Sequence, residues 1–187
     1  MTPFEFIFAL ISIITSLALA KIITGVVAII RHEERAGFSW THAFWVWVAF
    51  AVVIGNWGAL WQARLYPEWP AQRVLIWLAS LCCLYAFCVF VLPEVEPGKP
   101  INLKEFHQRE ARRYITAHNV FGVIAIALIL SLHRFDLTFR SDLFAPSLAL
   151  GLGIFAFLTK GRPQLIASFL LALLATMFML TKISIIP

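Results

Sequence analysis

The chain has 187 residues, of which 61% are apolar and 13% are charged, and its formal net charge is +5. Soluble domains carry about 25% charged residues, and a core of this volume could not hide 17 Phe and 7 Trp residues from water. The composition therefore excludes a soluble enzyme, a disordered tail and a nucleic-acid-binding domain, and it indicates an integral membrane protein.

Six nearly uncharged stretches follow one another along the chain, separated by clusters of charged residues. Each is at or near the length of about 20 apolar residues that crosses the hydrocarbon core of a bilayer. Backbone groups in lipid must form their hydrogen bonds within the segment, which favours helices. We therefore predict an all-α, polytopic bundle that forms a single transmembrane domain over residues 1–187. The six predicted spans are 4–30, 40–63, 74–92, 114–132, 143–159 and 164–181.

The first predicted span contains Glu5 and Lys21, two charged residues inside an apolar run. No Lys or Arg precedes the cleavage-like sequence Ala18-Leu19-Ala20, so we interpret the segment as a retained helix. Lys21 lies roughly 15 Å from the Arg31 end, near the bilayer middle, where charges usually face a partner or a water-filled cavity. Glu5 is about 24 Å away along the same helix, so the two cannot pair within one chain. Lys21 is therefore a candidate for lining an ion path, with snorkelling as the structural alternative.

Small residues recur every four positions on the first and fifth spans, a spacing that lets helix backbones approach closely in lipid. The positions are Ser12, Ser16, Ala20, Thr24 and Ala28 on the first span, and Ala145, Ala149 and Gly153 on the fifth. They predict helix-packing surfaces whose partner is either another helix of the chain or a second protomer.

Four further strongly polar residues lie inside predicted spans, namely Asn56 and Gln62 on the second, and His118 and Asn119 on the fourth. Hydrogen bonds between helices would account for each of them. The functional alternative is a polar path for an ion or solute, lined by Asn56, His118 and Asn119 together with Lys21 and Glu5.

The connector 93–113 between the third and fourth spans is long and basic. Its residues 101–113 place apolar side chains on one helical face, which predicts either a short interfacial helix on an anionic leaflet or an extension of the fourth helix. Contact with lipid head groups or a protein partner is predicted for Lys104, Arg109, Arg112 and Arg113. The odd-numbered connectors hold more Lys and Arg than the even-numbered ones, so the positive-inside rule places them in the cytoplasm and both termini outside it.

Catalytic and cofactor-binding motifs are not found in the sequence. Cys82, Cys83 and Cys88 share one span without a CxxC motif, and no P-loop, GxSxG or HExxH motif occurs. His118 and His133 loosely resemble the spacing of b-type haem ligands, but no other span supplies a central histidine as second axial ligand. We therefore predict no enzyme activity, no metal and no cofactor, and an intramembrane haem-binding redox protein is the last of the alternatives.

Several short motifs resemble those of uncharacterised small bacterial membrane proteins with six spans. They are Phe4-Glu5-Phe6, Leu10-Ile11-Ser12-Ile13-Ile14, Gly25, Trp40-Thr41-His42, Trp45, Asn56-Trp57, Leu60-Trp61 and Arg112-Arg113. The resemblance implies the same topology in a bacterial inner membrane. It draws attention to Glu5 and His42 as matching positions, and it implies no mechanism.

The first functional hypothesis is a channel- or transporter-like oligomer that moves a small ion or solute past Lys21. The alternative is a non-transporting membrane sensor, scaffold or signalling module that acts through the basic connector. The expected partners are the lipid bilayer, further copies of the chain, and a cytoplasmic or membrane protein. Nucleic acid is not an expected partner.

Overall fold

The computed structural model describes residues 3–31, 37–62, 64, 69–94, 101–132 and 137–184. Within these residues the chain forms six α-helices, which confirms the predicted all-α bundle. They are α1 (Pro3–Arg31), α2 (Trp40–Gln62), α3 (Ala71–Phe90), α4 (Leu103–Leu132), α5 (Leu137–Leu158) and α6 (Arg162–Ile183).

Five of these helices, α1, α2, α3, α4 and α6, are long and apolar enough to cross a membrane. In α5 the apolar part of the described residues is the segment Leu143–Leu158. Large apolar side chains cover the outside of the bundle, among them Phe144 and Leu158, which are 68% and 73% exposed. Water does not favour such a surface and hydrocarbon does, so the chain is a membrane protein.

Of the two alternatives for residues 101–113, the structure shows the extension, because α4 is one continuous helix, Leu103–Leu132. Asn102 caps its first turn. The Asn102 Oδ1 accepts hydrogen bonds from the backbone N–H groups of Lys104 at 3.1 Å and Glu105 at 3.2 Å. The Asn102 Nδ2 donates to Glu105 Oε1 at 2.9 Å. This reciprocal arrangement resembles a capping box, and it starts the helix well before the predicted span.

The extension of α4 packs against the bundle and is not a separate interfacial helix. Its buried face is formed at helical spacing by Leu103, His107, Ala111 and Tyr114. Next to its first turn, the Gly37 N–H donates to the Ile101 carbonyl and the Gly37 carbonyl accepts from the Leu103 N–H, both at 2.9 Å. The α1–α2 and α3–α4 connectors therefore meet at one end of the bundle. We call this end, which also holds the α5–α6 connector, the basic end, and the opposite one the far end.

The most extensive helix pair is α2 with α6, which are distant in the chain. Two glycines of α2 allow this close approach. A Cβ atom at Gly58 would lie 2.9 Å from the Lys182 carbonyl oxygen, and one at Gly55 would lie 2.5 Å from the Phe178 ring. α4 packs between α3 and α5, whereas α1 packs mainly on α3 and α2. The helices α2, α3, α4, α5 and α6 therefore surround the interior, and α1 lies at its periphery.

Candidate functional site

A hydrogen-bonded group of buried side chains joins α4, α5 and α6 near the basic end. His107 contacts the Tyr114 hydroxyl through Nδ1, and its Nε2 lies 3.2 Å from Gln164 Oε1. The Gln164 Nε2 donates to the carbonyl oxygen of Ala156 at 3.1 Å. His107, Tyr114 and Gln164 are 7%, 0% and 9% exposed. We call these three residues the His107 chain.

The bond to Ala156 fixes the direction of the other hydrogen bonds in the His107 chain. Because the Gln164 amide donates through Nε2, its Oε1 faces His107 and accepts the Nε2–H of the imidazole. In that neutral tautomer Nδ1 carries the lone pair, so it accepts the hydroxyl proton of Tyr114. All three donors therefore point the same way, from α4 through α6 to the end of α5.

His118 is a second buried histidine of α4, one helical turn beyond Tyr114, and it is 3% exposed. Its Nδ1 donates to Asn119 Oδ1 at 3.3 Å. Its ring centroid lies 5.4 Å from that of Trp45 and 5.5 Å from that of Phe87. Trp45 is fully buried and also contacts the Tyr114 ring, at 5.6 Å between centroids. The indole therefore connects His118 with the His107 chain.

The approach of α5 to these residues depends on Gly153. A Cβ atom at Gly153 would overlap the Asn119 Oδ1 and would lie 3.0 Å from His118 Nδ1. Because Gly153 has no side chain, α5 leaves room for the His118–Asn119 hydrogen bond, which is formed within α4 on the side that faces α5.

A partly open cavity of about 520 Å³ lies in the far half of the bundle, lined by residues of α2, α3, α4, α5 and α6. We call it the far cavity. Most of its wall is apolar. Its polar and charged wall residues are Asn56, Ser80, His118, Thr181 and Lys182. Because His118 forms part of this wall and also contacts Trp45, the far cavity and the His107 chain are neighbouring regions of one interior.

The structure brings together three of the five residues predicted to line a path. Asn56 and His118 are on the wall of the far cavity, and Asn119 is hydrogen-bonded to His118. Lys21 and Glu5 lie on the exposed surface of α1, and neither is on the cavity wall. Within one chain, these two charged residues are therefore separate from the other three.

The two predicted small-residue surfaces have different surroundings. On α5, Ala145 and Ala149 line the far cavity, and Gly153 faces α4. On α1, the exposed members are Ser16, Ala20 and Thr24, and the half-buried ones are Ser12 and Ala28. The surface on α5 therefore packs within the chain, whereas much of the surface on α1 is left uncovered by the described part of the chain.

The predicted contact residues of the connector lie on the extension of α4. All four are exposed, namely Lys104, Arg109, Arg112 and Arg113. Glu110 forms ion pairs with Arg109 at 3.1 Å and with Arg113 at 3.3 Å. Exposed pairs of this kind contribute about 0–1 kcal/mol, so they do not prevent these cations from meeting an anionic partner.

Sequence reasoning placed His107 in a connector, and it did not identify Tyr114 or Gln164 as site residues. The available signal was the helical spacing of His107, Tyr114 and His118, which are seven and four residues apart and therefore share one face of a helix. His42, a position matched by the family resemblance, is 2% exposed, and its Nε2 donates to the Val91 carbonyl at 2.7 Å. That bond satisfies a carbonyl at the end of α3, so His42 has a structural role.

Metal and haem sites receive no support from the geometry of the described chain. Its His, Cys, Asp and Glu side chains form no group of three or more that could hold a metal ion. The haem hypothesis also depends on His133, which lies outside the described residues. That hypothesis therefore stays a prediction.

Comparisons with protein-family models, with curated proteins and with solved structures find no match. The resemblance to six-span bacterial membrane proteins therefore stays a prediction.

Proposed function

We propose that this membrane protein is channel- or transporter-like and moves a small ion through the interior of its helical bundle. Polar side chains buried between membrane helices commonly mark ion and proton pathways. Here they occupy both halves of the interior, with the wall of the far cavity on one side and the His107 chain on the other. His118 carries the proposal, because it belongs to the cavity wall and lies one helical turn from Tyr114.

The proton is the ion that fits this interior best. An imidazole accepts a proton at one nitrogen and releases one from the other, which makes histidine a proton shuttle. In the His107 chain, Tyr114 faces Nδ1 and Gln164 faces Nε2. A proton that reaches the Tyr114 hydroxyl lets the hydroxyl pass its own proton to Nδ1, which gives a His107 imidazolium. The imidazolium then releases its Nε2 proton to water at the basic end, because the Gln164 amide oxygen that faces Nε2 accepts a hydrogen bond but does not take up the proton.

The proposal has two versions, a path through the bundle of one chain and a path between copies of the chain. The exposure of Lys21 distinguishes them. A lysine near the bilayer middle costs about 2.5–3.5 kcal/mol on insertion scales, so its position needs an explanation. Because its side chain lies on the outer surface of α1, Lys21 can line a path only between copies of the chain. The path through the bundle does not involve it.

Proton entry into proteoliposomes tests the proposal and distinguishes the two versions. We expect liposomes that contain the protein and an internal pH dye to acidify faster than empty ones when a valinomycin-driven potassium potential is applied. Lys21→Met should leave this rate unchanged, because the residue lies outside the interior. Loss of flux in Lys21→Met would assign the path to an interface between copies. Absence of any protein-dependent movement of protons or of other small ions would overturn the proposal.

The basic connector supports a second candidate function, a scaffold or sensor that binds anionic partners at the basic end. Its four cations are exposed along one segment of α4, and each Lys or Arg near an anionic leaflet contributes about 1 kcal/mol to lipid binding. We expect the triple change Arg109→Gln, Arg112→Gln and Arg113→Gln to remove retained anionic phospholipid, counted by native mass spectrometry. Lys160→Gln with Arg162→Gln, at the same end, is the matched control. Equal retention in the two variants would contradict this candidate.

A further inference from the structure

We infer that the far cavity binds a small amphipathic molecule with an apolar body and one neutral or anionic head group that accepts hydrogen bonds. Its volume, about 520 Å³, lies within the range of about 300–1,000 Å³ typical of small-molecule sites, which are mostly apolar with a few placed polar groups. The inference does not rest on the proposed ion path, but it concerns the same far cavity, so a bound molecule would compete with the passage of ions.

The apolar part of the wall fits a hydrocarbon body. α4 contributes Phe121, Ala125 and Leu128, and the facing residues of α5 and α6 include Leu150 and Leu171. Such side chains offer a bound water few of the about two to four polar partners that it requires, so water is favourable only beside the polar wall residues. A flexible aliphatic chain would pack against this wall and would be stabilised there by dispersion and by the hydrophobic effect.

Asn56 indicates that the bound molecule carries a hydrogen-bond acceptor. Asn56 is part of the cavity wall, and its Nδ2 is buried without a hydrogen-bond partner among the described residues. A buried amide donor left unpaired is destabilising and rare in native proteins. The terminal torsion of an asparagine is soft, so a small rotation would bring Nδ2 to the face of the cavity. A carbonyl or carboxylate oxygen of the bound molecule would then accept the hydrogen bond that Asn56 Nδ2 lacks.

The charges of the wall select against a cationic head group. Among the described residues of the wall there are one cation, Lys182, and one buried imidazole, His118, and none of them is Asp or Glu. A protonated amine would therefore meet no counter-charge among these residues, and its desolvation would be uncompensated. A carboxylate or a neutral carbonyl can accept a hydrogen bond from the Asn56 amide, and a carboxylate is in addition attracted by the charge of Lys182.

Equilibrium dialysis with radiolabelled decanoate tests the inference on the whole protein in amphipol, where no detergent micelle competes for the probe. We expect saturable binding of one decanoate per chain, with competition by decanol and none by decylamine. Non-saturable partitioning, or equal competition by decylamine, would overturn the inference. Native mass spectrometry before and after delipidation distinguishes the source, because a bound membrane lipid leaves on delipidation and a free solute rebinds from buffer.

Two variants assign the binding to the far cavity. Ala125→Phe places a ring in the cavity and should abolish saturable binding. Asn56→Leu removes the amide donor and should weaken decanoate binding about tenfold, the loss expected for a hydrogen bond in a dry site. The same change should raise the melting temperature of the empty protein, because an unpaired buried donor is gone. Gly151→Ala, whose Cβ would meet nothing within 4 Å, is the control. Unchanged affinity in both cavity variants would contradict the assignment.

Discussion

Replacing Tyr114 with phenylalanine is expected to lower protein-dependent proton flux at least about tenfold, equivalent to about 1.4 kcal/mol on the rate-limiting barrier. The change removes one oxygen and keeps the ring that packs on Trp45 at 5.6 Å. Without the hydroxyl, His107 Nδ1 loses the donor that it has within the described part of the chain, and the proposed route from His118 to His107 is interrupted. The measurement is the same proteoliposome acidification assay, at matched protein incorporation.

Tyr85→Phe is the matched control, because it removes the same oxygen from an exposed tyrosine of α3. Its flux should equal that of the unmodified chain. The Tyr114 change also leaves a buried imidazole nitrogen unpaired, at a cost of about 1–3 kcal/mol, so thermal unfolding is followed for both variants. A folded Tyr114→Phe protein with full flux would show that protons do not pass through the His107 chain.

The helices themselves could be predicted because lipid imposes a strong and local constraint. Charged residues are costly in hydrocarbon, so their clusters mark the connectors, and five apolar helices of spanning length occur where the sequence predicts them. The start of α4 was less evident. Its signal is the four-residue pattern from Asn102 to Glu105, a capping box within a stretch that composition alone assigns to a connector.

Side-chain orientation was harder to predict for a reason specific to membranes. In a soluble protein the apolar face of a helix identifies the core, but in lipid both the outer surface and the interior are apolar. The sequence therefore marks both Lys21 and His118 as polar residues within apolar spans, although the structure exposes the first and buries the second. Contacts between distant helices add to the difficulty, since His107 and Gln164 are separated by 57 residues.

Gly153 belongs to the small-residue surface predicted on α5, and it also lies against His118 and Asn119 of the candidate site. Its replacement by leucine is expected to be strongly destabilising. The new side chain would displace Asn119 Oδ1 and crowd His118 Nδ1, which a Cβ alone would approach to 3.0 Å. Overpacking of this kind costs about 1–3 kcal/mol, and the His118–Asn119 hydrogen bond would be lost in addition. We expect a lower melting temperature in detergent and a reduced proton flux in the fraction that still folds.

Gly151→Leu separates this effect from the general consequence of removing a glycine from a helix. Gly151 lies two residues away on α5, and a Cβ atom there would meet nothing within 4 Å. Leucine has a higher helix propensity than glycine by up to about 1 kcal/mol, so this variant should be at least as stable as the unmodified chain. If Gly153→Leu proved equally stable, α5 would not be packed closely against His118 and Asn119. The boundary between the far cavity and the His107 chain would then have to lie elsewhere in the bundle.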